Sequence, residues 1–465
     1  MEKFFQVKEK GSDVRTEVIA GITTFMAMAY ILMVNAGMFS DLGVVSYNAI
    51  YIATAISAVV GTLLMALLAN LPLAQASGMG LNAFFVYTVC FGFGLSYANA
   101  LVLVLFDGIV FVILTVTNLR RKIFEAIPKE VRVAIPAGIG LFIAFIGFQN
   151  AGIVVNDPAT CVNLASFNVL NGSATWATIM PMLVTLVTLM IIGILTIREV
   201  KGSVLWGIVA GAFVYYVLGF TIPGFYDGFF ANMSFNPFAA FGAFGSEAFL
   251  KVFTEGFDFS GYLADHSSAS LIILIATTAL AFCLVDMFDT LGTLYGACAR
   301  GNLLDSEGNV PNMEKAMLAD SIATCTGAIC GTSTVTTFVE SSAGVAEGGK
   351  TGLASLVTSG LFFVAMFLSP VAQLIPGCAT AAALIYVGVL MMNGVKNINW
   401  LDAEAALPAF MAVAVMPFTY NISYGIAMGV ITSLVIKVCT GKAKEVKAGT
   451  WVIALLFAVM FFVTH

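Results

Sequence analysis

The sequence predicts an all-α polytopic membrane protein with fourteen transmembrane spans, and three observations predict it. Apolar residues make up 60% of the 465-residue chain and charged residues only 10%, where soluble domains carry roughly 25% charged residues. The apolar stretches run to roughly 17–25 residues, the length a helix needs at about 1.5 Å per residue to cross a hydrocarbon core about 30 Å thick. Lys and Arg collect in alternate loops, as orientation by the positive-inside rule requires. Two-residue alternation of apolar and polar positions is absent, which sets a β-barrel aside. No cofactor, metal or nucleic-acid partner is expected; the lipid bilayer is.

The first span is expected at 17–39. Before it lie Lys3, Lys8, Lys10 and Arg15 but no apolar core ending in a small-residue cleavage site, so no cleaved signal peptide is expected. Further spans are expected at 47–70, 74–90, 97–119, 132–150, 173–197, 203–223, 268–298, 314–331, 333–347, 351–373, 378–395, 402–419 and 421–439. With the N-terminus in the cytoplasm, the inner loops collect Arg120, Arg121, Lys122 and Lys129, then Arg198 and Lys201, the 300–315 loop, Lys350, Lys396 and the 442–447 tail. Of the two long outer loops, 151–172 has no Lys or Arg, and 224–267 has only Lys251 against Asp227, Glu247, Glu255, Asp258 and Asp265. This favours fourteen spans over thirteen or fifteen, in a cell (inner) membrane with both termini cytoplasmic. The last apolar stretch, Trp451–Val463, is short for a span and follows lysines, so residues 449–465 are expected as an interfacial or partly inserted helix on the cytoplasmic face. Eight scattered cysteines without a CxxC pair read as small core residues.

Spans three and ten are abnormal. Span three follows Pro72 and carries Gly78, Gly80 and the polar Asn82 in its first half. Span ten opens on Gly331-Thr332-Ser333-Thr334-Val335-Thr336-Thr337, a β-branched, hydroxyl-rich run that favours extended backbone before a helix resumes. Both read as half-helices. In a chain of two seven-span halves they occupy equivalent positions, and the odd number of spans inverts the second half. Paired interrupted segments of this kind point to a transporter's midplane site. Glycine alone often marks only a close helix contact; the matching positions carry the expectation.

Intramembrane carboxylates are the sharper signal, because each costs about 2.5–3.5 kcal/mol at the bilayer centre on insertion scales. Asp286, Asp289, Thr290 and Thr293 fall at i, i+3, i+4 and i+7 of span eight, one helical stripe that cannot face lipid. Asp320 lies in span nine beside Ser321 and near Thr324, where a helix-to-helix hydrogen bond competes evenly with a direct role. Asp289 could equally cap the broken end of a neighbouring span. Asp286 and Glu340 lie in apolar surroundings with no intramembrane Lys or Arg, which favours function over packing for both. His266 sits in an outer loop and His465 ends the chain, so neither is a proton relay.

Carboxylates so placed repel an anion and accept hydrogen bonds from N–H groups. A planar heterocycle such as a purine offers N–H donors on one edge and acceptors on another, and the open N–H groups of two half-helices serve the acceptors. Glu340 could take two ring donors side by side. Phe84, Phe85 and Phe338 could supply a stacking face, although packing is the default role of a phenylalanine here. Asp286, with Asp289 and Asp320, is the candidate for carrying a coupling proton.

These segments resemble the AzgA-like branch of the nucleobase–cation symporter-2 family, the hypoxanthine, guanine and adenine permeases. The resemblance rests on RTEVIAGITTFMAMAYI (15–31), SGMGLNAFF (77–85), GIGLFIAFIGFQNAGI (138–153), VDMFDTLGTLYGA (285–297), ADSIATCTGAICGTSTVTTFVESSAGVAEGGKTGL (319–353) and ALIYVGVLMM (383–392). It implies the uracil-permease fold: two inverted seven-span repeats with short strands in spans three and ten. It also implies a core domain (17–119 and 268–373) and a gate domain (132–223 and 378–439), with substrate bound between them. The family's essential positions carry over to Gly80, Asn82, Asp286, Asp289 and Glu340, with Ser341 and Ser342 beside it. A proton symporter of purine nucleobases is implied, along with a homodimer through the gate domain. Xanthine and uracil carriers of the wider superfamily have a Gln/Glu-Asn pair in span ten and often a His or Glu in span eight. The Glu340-Ser341 and Asp286 found here weaken a uracil, xanthine or urate assignment. Among the bases the reading leans to hypoxanthine and guanine.

Two rivals remain. An anion exchanger or channel of the same fold would bring its substrate against Asp286 and Glu340. An intramembrane aspartyl protease needs a Gly-x-Gly-Asp arrangement that Asp286, Asp289 and Asp320 all lack.

Overall fold

Span 1 starts where the sequence supplies a cap. Asp13 accepts the Thr16 N–H at 2.9 Å, satisfying a donor the first turn leaves open, and the helix runs Val14–Met28. In the computed structural model, which describes residues 2–117, 126–170, 172–227, 236–305 and 309–463, the span does not continue straight. It breaks at Ala29 and Tyr30 and resumes at Ile31–Ser40. Arg120, Arg121, Lys122 and His465 lie outside the described residues.

Span 2 (Tyr47–Leu64, widening to Ala69) ends at Asn70, whose left-handed backbone (φ 52°) precedes Pro72. Span 3 is strand β1 (Gln75–Ser77) followed by helix from Met79 to Gly92. Spans 4 to 7 are Tyr97–Val116, Lys129–Asn150, Trp176–Ile197 and Ser203–Gly219. The loop after span 5 folds into a hairpin of β2 (Val154–Asp157) and β3 (Cys161–Leu164). The second long loop holds short helices between Pro237 and Leu263 and packs back on the bundle, where Glu247 accepts the Ser46 N–H at 2.8 Å. Spans 8 and 9 are Ser268–Arg300 and Met313–Cys330. Span 10 is β4 (Val335–Thr337) and a helix over Ser341–Ala346. Spans 11 to 14 begin with helices Gly352–Ala365, Gly377–Met391, Ala403–Thr419 and Ile422–Cys439. Among the described residues, nine of these helices are long and apolar enough to cross a membrane.

Helix contacts concentrate in two groups. Spans 1, 2, 4, 9 and 11 pack on one another and on the span 3 and span 10 segments, with span 8 against spans 4 and 10; spans 5, 6, 7, 12, 13 and 14 form the second group. Small residues set the second group's closest approach. A Cβ on Gly388 of span 12 would come 2.5 Å from the Gly140 carbonyl of span 5, so neither position admits a side chain without separating the helices. Cysteines are mostly buried, but Cys161 in β3 and Cys439 at the end of span 14 are exposed.

The terminal helix is Ala448–Val463. It starts beside span 5's entry, with the Thr450 hydroxyl donating to the Ala126 carbonyl at 2.5 Å. By Phe461 it has reached Tyr424, in the first turn of span 14, with ring centroids 5.3 Å apart. It therefore runs antiparallel to span 14. Phe457 and Met460 are buried against the bundle, and Val452, Leu455, Val459 and Phe462 form an outward stripe.

Candidate functional site

Two three-residue strands organise the site. Extended backbone inside a membrane must find its hydrogen bonds within the protein, and β1 and β4 find them in each other. They pair antiparallel with Gln75 opposite Thr337 and Ser77 opposite Val335. The Gly78 N–H donates to Thr334 O and the Phe338 N–H to Ala74 O, each at 3.0 Å, extending the ladder at both ends. A helix leaves each strand, so antiparallel pairing sends the two helices in opposite directions and leaves their N-terminal N–H groups flanking the strand pair.

A buried polar network fastens the strands from behind. Gln75 Nε2 donates to Asp320 Oδ1 at 2.9 Å and to Thr337 Oγ1 at 3.2 Å. The Thr290 hydroxyl lies 3.0 Å from each Asp320 oxygen and 2.7 Å from the Thr336 hydroxyl. The Thr62 hydroxyl both donates to Gln75 O and accepts from Gln75 N–H, at 3.0 Å. Asp320 thus joins spans 3, 8, 9 and 10. Leaving one member of such a network without its partner costs about 1–3 kcal/mol.

Glu340 heads the short helix of span 10 and accepts the Tyr30 hydroxyl at 2.6 Å; it is half-buried. The break in span 1 is what brings Tyr30 there. The Ser341 hydroxyl oxygen accepts the Ala74 N–H at 3.0 Å, and Phe338 is buried after β4. In span 8, Asp286 is fully buried and Asp289 half-buried, with Asp289 in electrostatic reach of Glu340. Span 8 contacts β4, the span 10 helix and the Met79–Ala83 helix.

Two expected contributors have other work. Asn82 is buried and engaged at both ends of its amide: Nδ2 donates to Ser77 O at 3.3 Å and Oδ1 accepts the Ser333 hydroxyl, so it ties span 3 to span 10. Gly80 faces span 5, where an added Cβ would stand 2.5 Å from Ile139 Cγ2. The suggested stacking face is not open. Phe84 meets Phe282 edge-on at 4.8 Å, Phe85 meets Phe39 at 4.9 Å, and both are fully buried.

Sequence reasoning missed Tyr30, Gln75 and Asp107. Asp107 is fully buried in span 4, with the Thr334 hydroxyl 3.4 Å from its Oδ2. The rule that selected Asp286, a carboxylate inside an apolar run, would have found it. Tyr30 carried no signal, since only the fold brings it to Glu340.

The transmembrane domain of a cyanobacterial bicarbonate transporter superposes with a TM-score of 0.60 at 15% identity, covering 90% of this chain and 97% of that one. At that identity the likeness shows the fold alone. Fold and strand-centred site together define a multi-pass membrane transporter rather than an enzyme. The chain belongs to the permease family, whose model matches residues 15–428. A guanine/hypoxanthine permease of Bacillus subtilis is 38% identical, over 99% of this chain and 100% of its own length. An adenine permease of Escherichia coli is 36% identical, over 98% of this chain and 95% of its own.

Proposed function

We propose that this chain imports purine nucleobases across the cell membrane by proton symport. The observation that carries the reading is Glu340: a half-buried carboxylate at the head of a half-helix, beside a strand pair and oriented by Tyr30. A purine's ring N–H groups donate to Glu340. Its ring acceptors take N–H groups at the start of the span 3 half-helix, near Gly80, whereas the Ser341 N–H is given to Phe338 O at 3.1 Å. Phe338 closes one side, Asn82 holds spans 3 and 10 in register, and Asp286 completes the polar wall. The proton is carried by Asp286, with Asp289 and Asp320 as its neighbours in span 8 and in the network. Relatives named as guanine/hypoxanthine and adenine permeases support the purine class, with hypoxanthine and guanine favoured.

In this reading the first packing group is the core that carries the site and the second is the gate it moves against. Alternating access then shifts the span 3–span 5 contact, where Gly80 gives Ile139 a side-chain-free surface. An anion carrier of the same fold is the rival, but an anion would meet Asp286, Asp289 and Glu340.

Uptake of radiolabelled hypoxanthine into proteoliposomes, with and without an imposed proton gradient, tests the reading. Gradient-driven uptake competed by guanine or adenine but not by sulfate supports it, and Asp286→Asn should remove accumulation while sparing exchange. Uptake of sulfate in place of purines would sink it, and accumulation unchanged in Asp286→Asn would remove that residue from the coupling.

A further inference from the structure

Span 13 ends at Thr419 and span 14 begins at Ile422, leaving two residues to turn the chain. Tyr420 makes the turn in left-handed backbone (φ 56°), a position where helices ordinarily place glycine or asparagine. Its ring lies edge-on to those of Tyr87, Phe142 and Phe145, with centroids 5.7, 5.3 and 5.9 Å away, and its carbonyl accepts the Thr88 hydroxyl at 2.9 Å. The facing wall is held as firmly: Tyr87 donates its hydroxyl to Asp41 Oδ2 at 2.7 Å and accepts from Asn150 Nδ2 at 3.2 Å. Beside this contact is a half-open pocket of about 310 Å³, lined chiefly by Tyr87, Phe91, Phe93, Tyr420, Asn421 and Tyr424.

The cavity is not the carboxylate site. It shares span 3 with it, but Phe91 is nine residues beyond Asn82, about two turns further along a helix that is π-type from Phe84 to Gly92. Its volume lies at the small end of ligand pockets, about 300–1,000 Å³, which suits a fused two-ring heterocycle. An exposed aromatic ring, here that of Phe91, binds any base through its face without reading its edge. The polar side chains in the lining, Thr88, Thr419, Asn421 and tyrosine hydroxyls, are neutral, so the lining offers an inorganic anion no countercharge.

From this geometry we infer a second, outer subsite where the planar base is captured by stacking before it reaches Glu340; the inference rests on the purine reading above. Such a site is less selective and weaker than the inner one, and it is continuous with the boundary between the two packing groups.

Equilibrium binding of radiolabelled hypoxanthine to the purified full-length chain tests it. The wild type is expected to show two saturable classes, and Glu340→Ala to keep the weaker one. Adding Phe91→Ala to Glu340→Ala should weaken that class about tenfold, within the range for losing one base–aromatic stack. Phe91 is 57% exposed, so its removal leaves the fold in place, and Phe91→Tyr should retain the class. A wild type with a single class, abolished by Glu340→Ala and untouched by Phe91→Ala, overturns the outer subsite and leaves the purine reading standing. Residual binding in Glu340→Ala that is indifferent to Phe91 also overturns it. A monodisperse wild type that binds no purine overturns both.

Discussion

Spans 3 and 10 begin alike and end differently. Each enters as a three-residue strand and turns into a helix, and the strands pair across the pseudo-symmetric halves. After the strand, span 3 runs on to Gly92 and presents Gly80 to Ile139, with its amide Asn82 used up in bonds to Ser77 and Ser333. Span 10 stops at Ala346 and carries Glu340, partly open and braced by Tyr30. The repeated backbone supplies the geometry twice and the carboxylate once: in the proposed function span 3 is the sliding and fastening surface and span 10 the recognition element.

The largest test of that contrast is Glu340→Ala. Losing two hydrogen bonds to a charged group, at about 1.5 kcal/mol each, should cut purine uptake about a hundredfold. If Asn82→Ala cuts uptake as deeply without lowering the thermal unfolding temperature, the division of labour is wrong. Next is Gly80→Val, which must push span 3 off span 5. A loss of about tenfold in uptake rate is expected, with recovery when Ile139→Ala is added; no recovery would mean that Gly80 serves the substrate and not the interface. Thr290→Val removes the donor shared by Asp320 and Thr336. It should cost about 1–3 kcal/mol of stability, read by thermal unfolding in detergent, with uptake per folded molecule changed by less than about twofold. The smallest effect is expected for Tyr30→Phe, which frees one Glu340 oxygen at about 1 kcal/mol. A rise of about fivefold in KM with stability retained would sharpen the assignment of Tyr30 as an orienting residue, whereas a loss of folded protein with KM unchanged would make it structural.

Span positions were legible because bilayer thickness fixes helix length, and β4 because Thr332–Thr337 is a largely β-branched run that favours extended backbone; β1, which has no such run, was implied by the family resemblance alone. Asp320 was read as evenly balanced between packing and function, and its bonds to Gln75, Thr290 and Thr337 show how much it holds. The packing of the terminal helix against spans 8 and 14 was not legible, because its length and the lysines before it say nothing of which helices it meets. The break at Ala29–Tyr30 left no Pro or Gly to announce it; it belongs to the contact with Glu340, which exists only after folding. Asp107 was visible by the rule already in use and was passed over.

The β1–β4 pair also constrains how the protein can be made. Gln75 and Thr337 face each other but are 262 residues apart in the chain. At about 5–20 residues per second, ribosomes need tens of seconds to supply the second strand after the first. Gln75 has its Thr62 partner from span 2, but throughout that interval the Ala74 carbonyl and the Gly78 N–H lack the Phe338 and Thr334 groups that make them tolerable in hydrocarbon. The two-stranded seam can therefore close only after span 10 has been made, late in the synthesis of the chain.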